Sequence, residues 1–594
     1  MSPVHVRSFP LLIALALAPS VGCGEDDPAA PDGGATSGDG GSPADGSAPG
    51  GDAGTWTDGA VVTPPDDAGV VITGPLGSTR VPSAGVGGGG YEDHGCSTGT
   101  PADGYSLRYV ATTGDDAGPS RGTRVAPFKT FAAALASHSG PLVVCVASGT
   151  YTENVNLGTN RRVAVVGGFD AGFDARDARE SPTHVVASTV TQSTVRAEAP
   201  RELLIDGLEV SGSQRRGIDV IGWSGEHVRV RNVHVHHNGT TSNIGESAAT
   251  GGIDLPGGSD VTVELAYSVV EENDGWHHGG GVNIGGGGDE ANPITRDGSH
   301  DGFGSIVSLA AGTASVHHVV IRNNRLHEPS LPHGAGLAVG CNADIHHVEF
   351  VGNDTTGTNH YGVGGGMIAQ HGVSNDDSAS VVLVHECWFE QNRAEKAGAA
   401  LFFDQTSVGW VANCIFAHNI GEGTLLVDGA CGNSCAGPDG DYDRNFVTAV
   451  FNVFAENEGA GLAVQDATAH LYGNAFWHNT SAVGDVRLMG GSPGADNVVR
   501  GDSNVIVVGA GVSTELTGSV SAEALTLFAD VASEDYHLRA TDTAAFERVA
   551  PSYAPAFAVP GPLARTSVPP LDYASAARPA GGPYVYGAYA TRAP

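Results

Sequence analysis

The sequence predicts an all-β fold: a single-stranded parallel β-helix solenoid with a short N-terminal capping helix and long loop insertions. Three observations carry this. A short motif ending in Asn recurs eight times between residues 232 and 479. A run of small residues leading into an apolar one follows five of these motifs. Glycine supplies 88 of the 594 residues, while 40% of the chain is hydrophobic, enough for a large core.

The elements follow in chain order. Residues 1–22 read as a secretory signal: a weakly basic start (His5, Arg7), then an apolar run from Phe9 to Ala18 that is too short to span a bilayer. Ser20-Val21-Gly22-Cys23 resembles a bacterial lipobox, with Ser20 standing where Leu is usual. The resemblance implies lipidation of Cys23, an exported protein anchored to a bacterial membrane, and the outer membrane or cell surface as its place. Residues 23–90, rich in Gly, Asp, Ala, Pro, Ser and Thr, cannot bury enough apolar surface to offset chain entropy and read as a disordered tether. The body is assigned to 91–545 and a C-terminal cap or tail to 546–594. In 124–137, Phe128, Phe131 and Leu135 share one helical face, as a capping helix requires.

The repeat ends at Asn238, Asn273, Asn324, Asn353, Asn392, Asn419, Asn457 and Asn479, and the residue three before each Asn is Val235, Val270, Ile321, Phe350, Phe389, Phe416, Phe454 or Phe476. The shortest spacing, 22 residues, fits one coil, and longer ones fit a coil plus insertions. Alternating apolar residues point inward from short strands. Asn is expected at the turn because it tolerates the left-handed region, and stacked coils bring these side chains into register as a ladder. About twelve coils at about 4.8 Å each predict a rod about 60 Å long.

The Phe-x-x-Asn motifs and the Gly-Ala-Gly-Leu type runs, over 232–479, resemble the repeats of chlamydial polymorphic outer-membrane proteins. That resemblance implies a right-handed β-helix. YVATTGDD (109–116), RVAPFKTFAAALAS (124–137) and VVCVASGTYTENVNL (143–157) resemble the opening of pectin-lyase-like, DUF1565-type secreted β-helix proteins, and DYHL (535–538) with GAYA (587–590) resembles their end.

Several constellations are candidates for chemistry. Asp439, Asp441 and Asp443 alternate on a loop, a pattern that can converge on Ca²⁺, although the last position of an EF-hand loop would be Val450. Cys431 and Cys435 are placed to close a small disulfide loop. Cys387 and Cys414 share one inward position in successive coils, as a stack of core thiols or a bridge. His317, His346 and His385, with Glu386, fall on one corner in three successive coils, where they can hold a transition metal or form a solvated ladder. Trp388 and Trp410 are expected to face outward, where rings can stack on sugars or lie under a loop. The insertion 276–304 holds His277, His278, Asp289, Glu290, Asp297, His300 and Asp301 and can overhang a groove.

The formal net charge of −37 argues against nucleic acid as a partner and leaves the lipid anchor as the membrane contact. A phosphate loop of the Gly-x-x-x-x-Gly-Lys-Ser/Thr type does not occur. The hydrolase signatures Asn-Thr-Asp, Gly-His-Gly and Arg-Ile-Lys are likewise missing from the chain, so no catalytic set is assigned. The expected function is a monomeric surface or periplasmic rod for glycan or partner binding, adhesion or structural display. The alternative is a Ca²⁺-dependent polysaccharide lyase or related enzyme.

Overall fold

The structure, a computed structural model, describes residues 76–538 apart from 79, 102–103, 119, 223–226, 243–249, 258–260, 286–313, 329–331, 356–361, 371–379, 405–406, 430–445, 491–496, 509–514, 518, 520–527 and 531–534, together with 573 and 587–589. The sequence-predicted sites at Cys23, Cys431, Cys435, Asp439, Asp441 and Asp443, and the acidic part of the 276–304 insertion, lie outside the described residues.

The chain is a right-handed parallel β-helix. Each coil contributes a strand to three sheets in turn. Sheet 1 has fourteen strands, from Ser106–Val110 to Glu515–Thr517; sheet 2 has eleven, from Val155–Thr159 to Val486–Leu488; sheet 3 has eleven, from Gly149–Thr152 to Ala475–Trp477. Thirteen spacings in sheet 1 give a rod about 60 Å long. The register is parallel throughout: His317 pairs with His346 and His346 with His385, and Phe350 pairs with Phe389 and Phe389 with Phe416. The helix Phe131–Ala136 buries Phe131, Ala134 and Leu135 over the first coil, and the Thr130 side chain accepts from the Ala133 N–H at its start.

The interior is a continuous column of aliphatic side chains with an aromatic stack inside it. Phe350, Phe389, Phe416, Phe454 and Phe476 lie face to face, with centroids 4.5–4.8 Å apart. Beside the stack runs the Asn ladder. Nδ2 of each Asn from 238 to 457 donates to Oδ1 of the next, through 273, 324, 353, 392 and 419 and ending at 479, at 2.9–3.2 Å. The ladder residues do not themselves occupy the left-handed region. The residue before each does: His237, Glu272, Asn323, Gln391, His418, Glu456 and His478 have φ near +50°, and Gly352 takes the same place before Asn353. Asn is therefore required for its amide and not for its backbone freedom. Gly336 shows why small residues follow the ladder: a Cβ there would press on the Gly366 carbonyl at 2.2 Å and the Asn353 amide at 3.1 Å.

Five residues before the ladder, a second row crosses the corner between sheets 1 and 3. At its C-terminal end it too is Asn: Asn452 Nδ2 donates to Asn474 Oδ1 and Asn474 Nδ2 to Asn504 Oδ1, at 2.9 and 3.0 Å. Cys414 and Cys387 stand one and two coils earlier in this row, buried and unbridged. Each thiol lies over the carbonyl two residues back and a carbonyl of the preceding coil: His385 and Ile345 for Cys387, Ala412 and Val384 for Cys414. These thiols occupy the place of the ladder amides.

Two boundaries differ from the sequence expectation. The tether does not run to residue 90. Val81, Ala84 and Val86 are buried, and residues 76–96 form a strap running back along the corner between sheets 1 and 3. Ser78 meets Glu349, the Gly85 N–H donates to the His318 carbonyl, the Gly87 N–H donates to Asn232, Tyr91 donates to Asp177, and Cys96 is bridged to Cys145. Glycine frees such a segment to follow a surface closely: at Gly89 a Cβ would come within 2.4 Å of the Tyr267 ring. At the other end, the strands at 528–530 and 535–538 are not part of a coil. Phe528–Asp530 and Asp535–Leu538 form an antiparallel pair whose Phe528 and Tyr536 rings lie against Trp477 and Trp388.

Candidate functional site

The outward faces of the three sheets decide what the rod can bind. On sheet 3 two outward rows can be followed along the axis. One reads His184, Glu209, His234, Val269, Val320, Glu349, Trp388, Ile415, Val453, Ala475; the other reads Ser211, His236, Glu271, Arg322, Val351, Glu390, Ala417, Ala455, Trp477. Both rows are polar at the N-terminal end and apolar at the other. The apolar half lies under the strap and the C-terminal segments, where Val81, Ala84, Phe528, Tyr536, Tyr573 and Ala588 complete a second core outside the coils.

This corrects the expectation for the tryptophans. Trp388 and Trp410 do point away from the helix interior, yet they are 2% and 5% exposed. Arg80 lies over the Trp388 ring, Tyr536 and Tyr573 flank it, and its Nε1–H donates to Glu390 at 2.9 Å. Neither ring offers a face to a sugar.

The strap and the C-terminal segment meet at this point. Tyr573 Oη donates to the Arg80 carbonyl at 3.0 Å, joining residues almost five hundred positions apart. Beneath the junction, Glu349 is buried and accepts from Ser78 Oγ. Burial pushes its carboxyl up to about 7; Arg322 and Arg80 pull it down, and Glu390 adds to the rise.

The open half of sheet 3 carries a paired polar stripe. His236 bonds Glu209 at 3.1 Å, His184 bonds Ser211 at 2.8 Å, His234 bonds Glu271 at 2.7 Å, and Arg322 Nε donates to Glu271 at 2.6 Å. Its side chains keep 14–25% of their surface in solvent, so the stripe is reachable though each group is held in place. Burial raises the Glu271 pKa, but the bonds from His234 and Arg322 outweigh it and hold the carboxyl down at about 2. Hydrogen bonding to His236 likewise lowers Glu209.

The corner histidines predicted as a metal set are brought together, but not as a chelate. His317, His346 and His385 stack with rings 5.1 Å apart and nearly parallel, at 4° and 13°. Parallel rings send their lone pairs in parallel directions, not to one point. His385 is also clamped between Asp344, at 2.8 Å, and Glu386. Burial opposes its charge, but Glu386 and Asp344 prevail and raise its pKa to about 10. A protonated imidazole has no lone pair for a metal, and Glu386 is committed to His385 and Asn413.

Among the described residues, two groups have donor atoms that all lie within 4.8 Å of one another: His277, His278 and His333, and His184, Glu209 and His236. The first sits where the chain leaves the Asn ladder for sheet 2; His278 bridges His333 in the next coil, and His333 bridges Val363 in the one after. Sequence reasoning flagged His277 and His278 in their insertion but missed His333, 55 residues on, although His278 and His333 each directly precede the small-residue run of their coil, GGGV at 279–282 and GAGL at 334–337. It also left Cys96 and Cys145 unassigned, since a separation of 49 residues says nothing about pairing until the strap is known.

No protein-family model matches the chain, and no curated protein matches it. A crystal structure of pectate lyase Pel9A superposes with a TM-score of 0.32 and 12% identity, over 67% of this chain and 82% of that one. The strand register itself establishes the parallel β-helix, and this likeness adds no argument about chemistry. Among the described residues, no helix is long and apolar enough to cross a membrane.

Proposed function

We propose that the protein is an exported, lipid-anchored rod whose open polar stripe on sheet 3 binds a hydroxyl-rich ligand of the glycan class. One observation carries the reading. The terminal segments cover the apolar half of this face, while His184, Glu209, His234, His236, Glu271 and Arg322 stay in solvent contact, already oriented by one another. Fixed carboxylates, imidazoles and a guanidinium supply both acceptors and donors to sugar hydroxyls, with little ordering entropy left to lose on binding. A chain of net charge −37 disfavours polyanions, so neutral or amino-sugar glycans fit best. Export through residues 1–22, lipidation at Cys23 and a tether up to the start of the strap complete the proposal. Together they would hold the rod at a membrane surface.

The test is a glycan-binding panel with the full chain and a His234→Ala/His236→Ala variant, followed by calorimetry on any hit. Binding that falls at least tenfold in the variant, with unfolding unchanged, supports the stripe. Equal binding by both would exclude it. Reducing ends or unsaturated products formed from a bound glycan would replace binding by catalysis as the function. Metabolic labelling with palmitate, lost in Cys23→Ser, tests the anchor.

A further inference from the structure

We propose that His277, His278 and His333 form a three-histidine site for a divalent transition-metal ion of the zinc class, at the entrance to sheet 2 and independent of the sheet 3 stripe. The first argument is convergence. Their donor atoms lie within 4.8 Å of one another, and their rings are splayed, with interplanar angles of 55°, 68° and 61° at centroid distances of 4.0, 5.5 and 5.3 Å. The corner histidines of sheet 1 stack flat, so their donors run in parallel; splayed rings can aim donors at one point.

The second argument is an unsatisfied atom. Nδ1 of His333 is buried and has no hydrogen-bond partner among the described residues. A buried nitrogen left without a partner costs free energy, and a bound ion would satisfy it. In the other convergent group, His236 bonds Glu209 and His184 bonds Ser211, so these donors already have partners.

Third, the surroundings suit a ligand set. The Glu328 carboxylate lies against Nδ1 of His277, the side on which a carboxylate supports a ligating imidazole. The Gln370 amide nitrogen is 3.5 Å from Nδ1 of His278. Gly279 and Gly334, directly after His278 and His333, have φ +56° and +68°, the turn that recurs in each of these coils, so the two histidines hold one register position in successive coils. Three imidazoles select a borderline ion such as Zn²⁺ over Ca²⁺ or Mg²⁺, and three protein ligands leave a coordination position for water or another ligand.

The experiment titrates the full chain with ZnCl₂ by calorimetry and with CoCl₂ by visible absorption, after chelator treatment and dialysis. Three variants are compared: His333→Ala, Glu328→Gln and His346→Ala, the last in the flat stack of sheet 1. The expected result is a Zn²⁺ site and a Co²⁺ ligand-field band in the wild type. Both should be lost in His333→Ala, kept in His346→Ala, and weakened about tenfold in Glu328→Gln. Circular dichroism identifies any variant that fails to fold, and His333→Gln then replaces His333→Ala. The proposal is overturned if His333→Ala, or in its place His333→Gln, binds both ions as the wild type does. It is equally overturned if the wild type shows no ligand-field band, or if His346→Ala removes the site.

Discussion

Glu349 ties the docking of both terminal segments to pH, and the size of the effect can be worked out. Its carboxyl is buried under Ser78 and faces Arg80, Arg322, Glu390 and the buried Tyr573 ring. The folded chain holds its proton up to about pH 7, against 4.5 for the ordinary side chain. Between those values the folded state binds more protons than the unfolded state, so stability falls as pH rises. The contribution is fully present below about pH 4.5 and is lost as pH passes through 7. At about 1.4 kcal/mol per pH unit, the loss approaches about 3 kcal/mol by pH 8. Glu349→Gln keeps an acceptor for Ser78 and carries no titrating group. The assay is urea unfolding of both proteins from pH 5 to 8, followed by Trp fluorescence and by protease cleavage within 76–96. The expected result is a wild-type strap that loosens relative to the variant by about 3 kcal/mol across that range. A stability difference that stays constant from pH 5 to 8 would refute the reasoning.

Other perturbations have equally definite outcomes. Asn353→Ala removes donations to Ile321 and Asn392 and orphans the buried Asn324 backbone N–H, so it should cost about 3 kcal/mol in urea unfolding, whereas Asn479→Ala frees the Asn457 N–H and amide in the same way but at the part-buried end of the ladder, where water can replace the lost bonds, and should cost about 1 kcal/mol. Equal losses would show that the ladder is not a chain of dependent bonds. Replacing Cys387 and Cys414 together by Asn should leave stability within about 1 kcal/mol, measured the same way, because the row already holds Asn in the next coils. Trp388→Ala should cost about 3–5 kcal/mol locally and expose the strap, read as faster proteolysis within 76–96 with the coils intact.

The coils were legible because every one repeats the same inward demand. Phe350, Phe389, Phe416, Phe454 and Phe476 fill one position, and the ladder Asn residues fill another, so spacing alone revealed both. The second row was partly legible. Cys387 and Cys414 were seen to stack, but their kinship with Asn452 and Asn474 shows only when the shared carbonyl acceptors are known. The strap was illegible for a physical reason. Residues 76–96 are Gly-rich, and their apolar residues are few because the rod's own outward Val, Ile and Trp supply the other half of the contact. Composition measures what a segment brings, not what it meets. His333 was missed for a related reason, since its partners come from a neighbouring coil.

The outward rows of sheet 3 link these cases. A β-helix repeats its interior along the whole axis, so the interior carries little information about function. The outside is free to vary, and here its change of character is sharp: His184, Glu209, His234 and Glu271 give way to Trp388, Ile415, Val453 and Ala475. An apolar outward run requires a cover, and the chain provides one from both of its terminal segments. Among the described residues none covers the polar outward run, which is held flat by its own ion pairs. The same logic separates the histidines. Those of the sheet 1 corner are stacked in parallel and, at His385, charged; those at the entrance to sheet 2 are splayed and leave one nitrogen without a partner. Repetition built the rod, and the breaks in repetition mark the places where it meets something else.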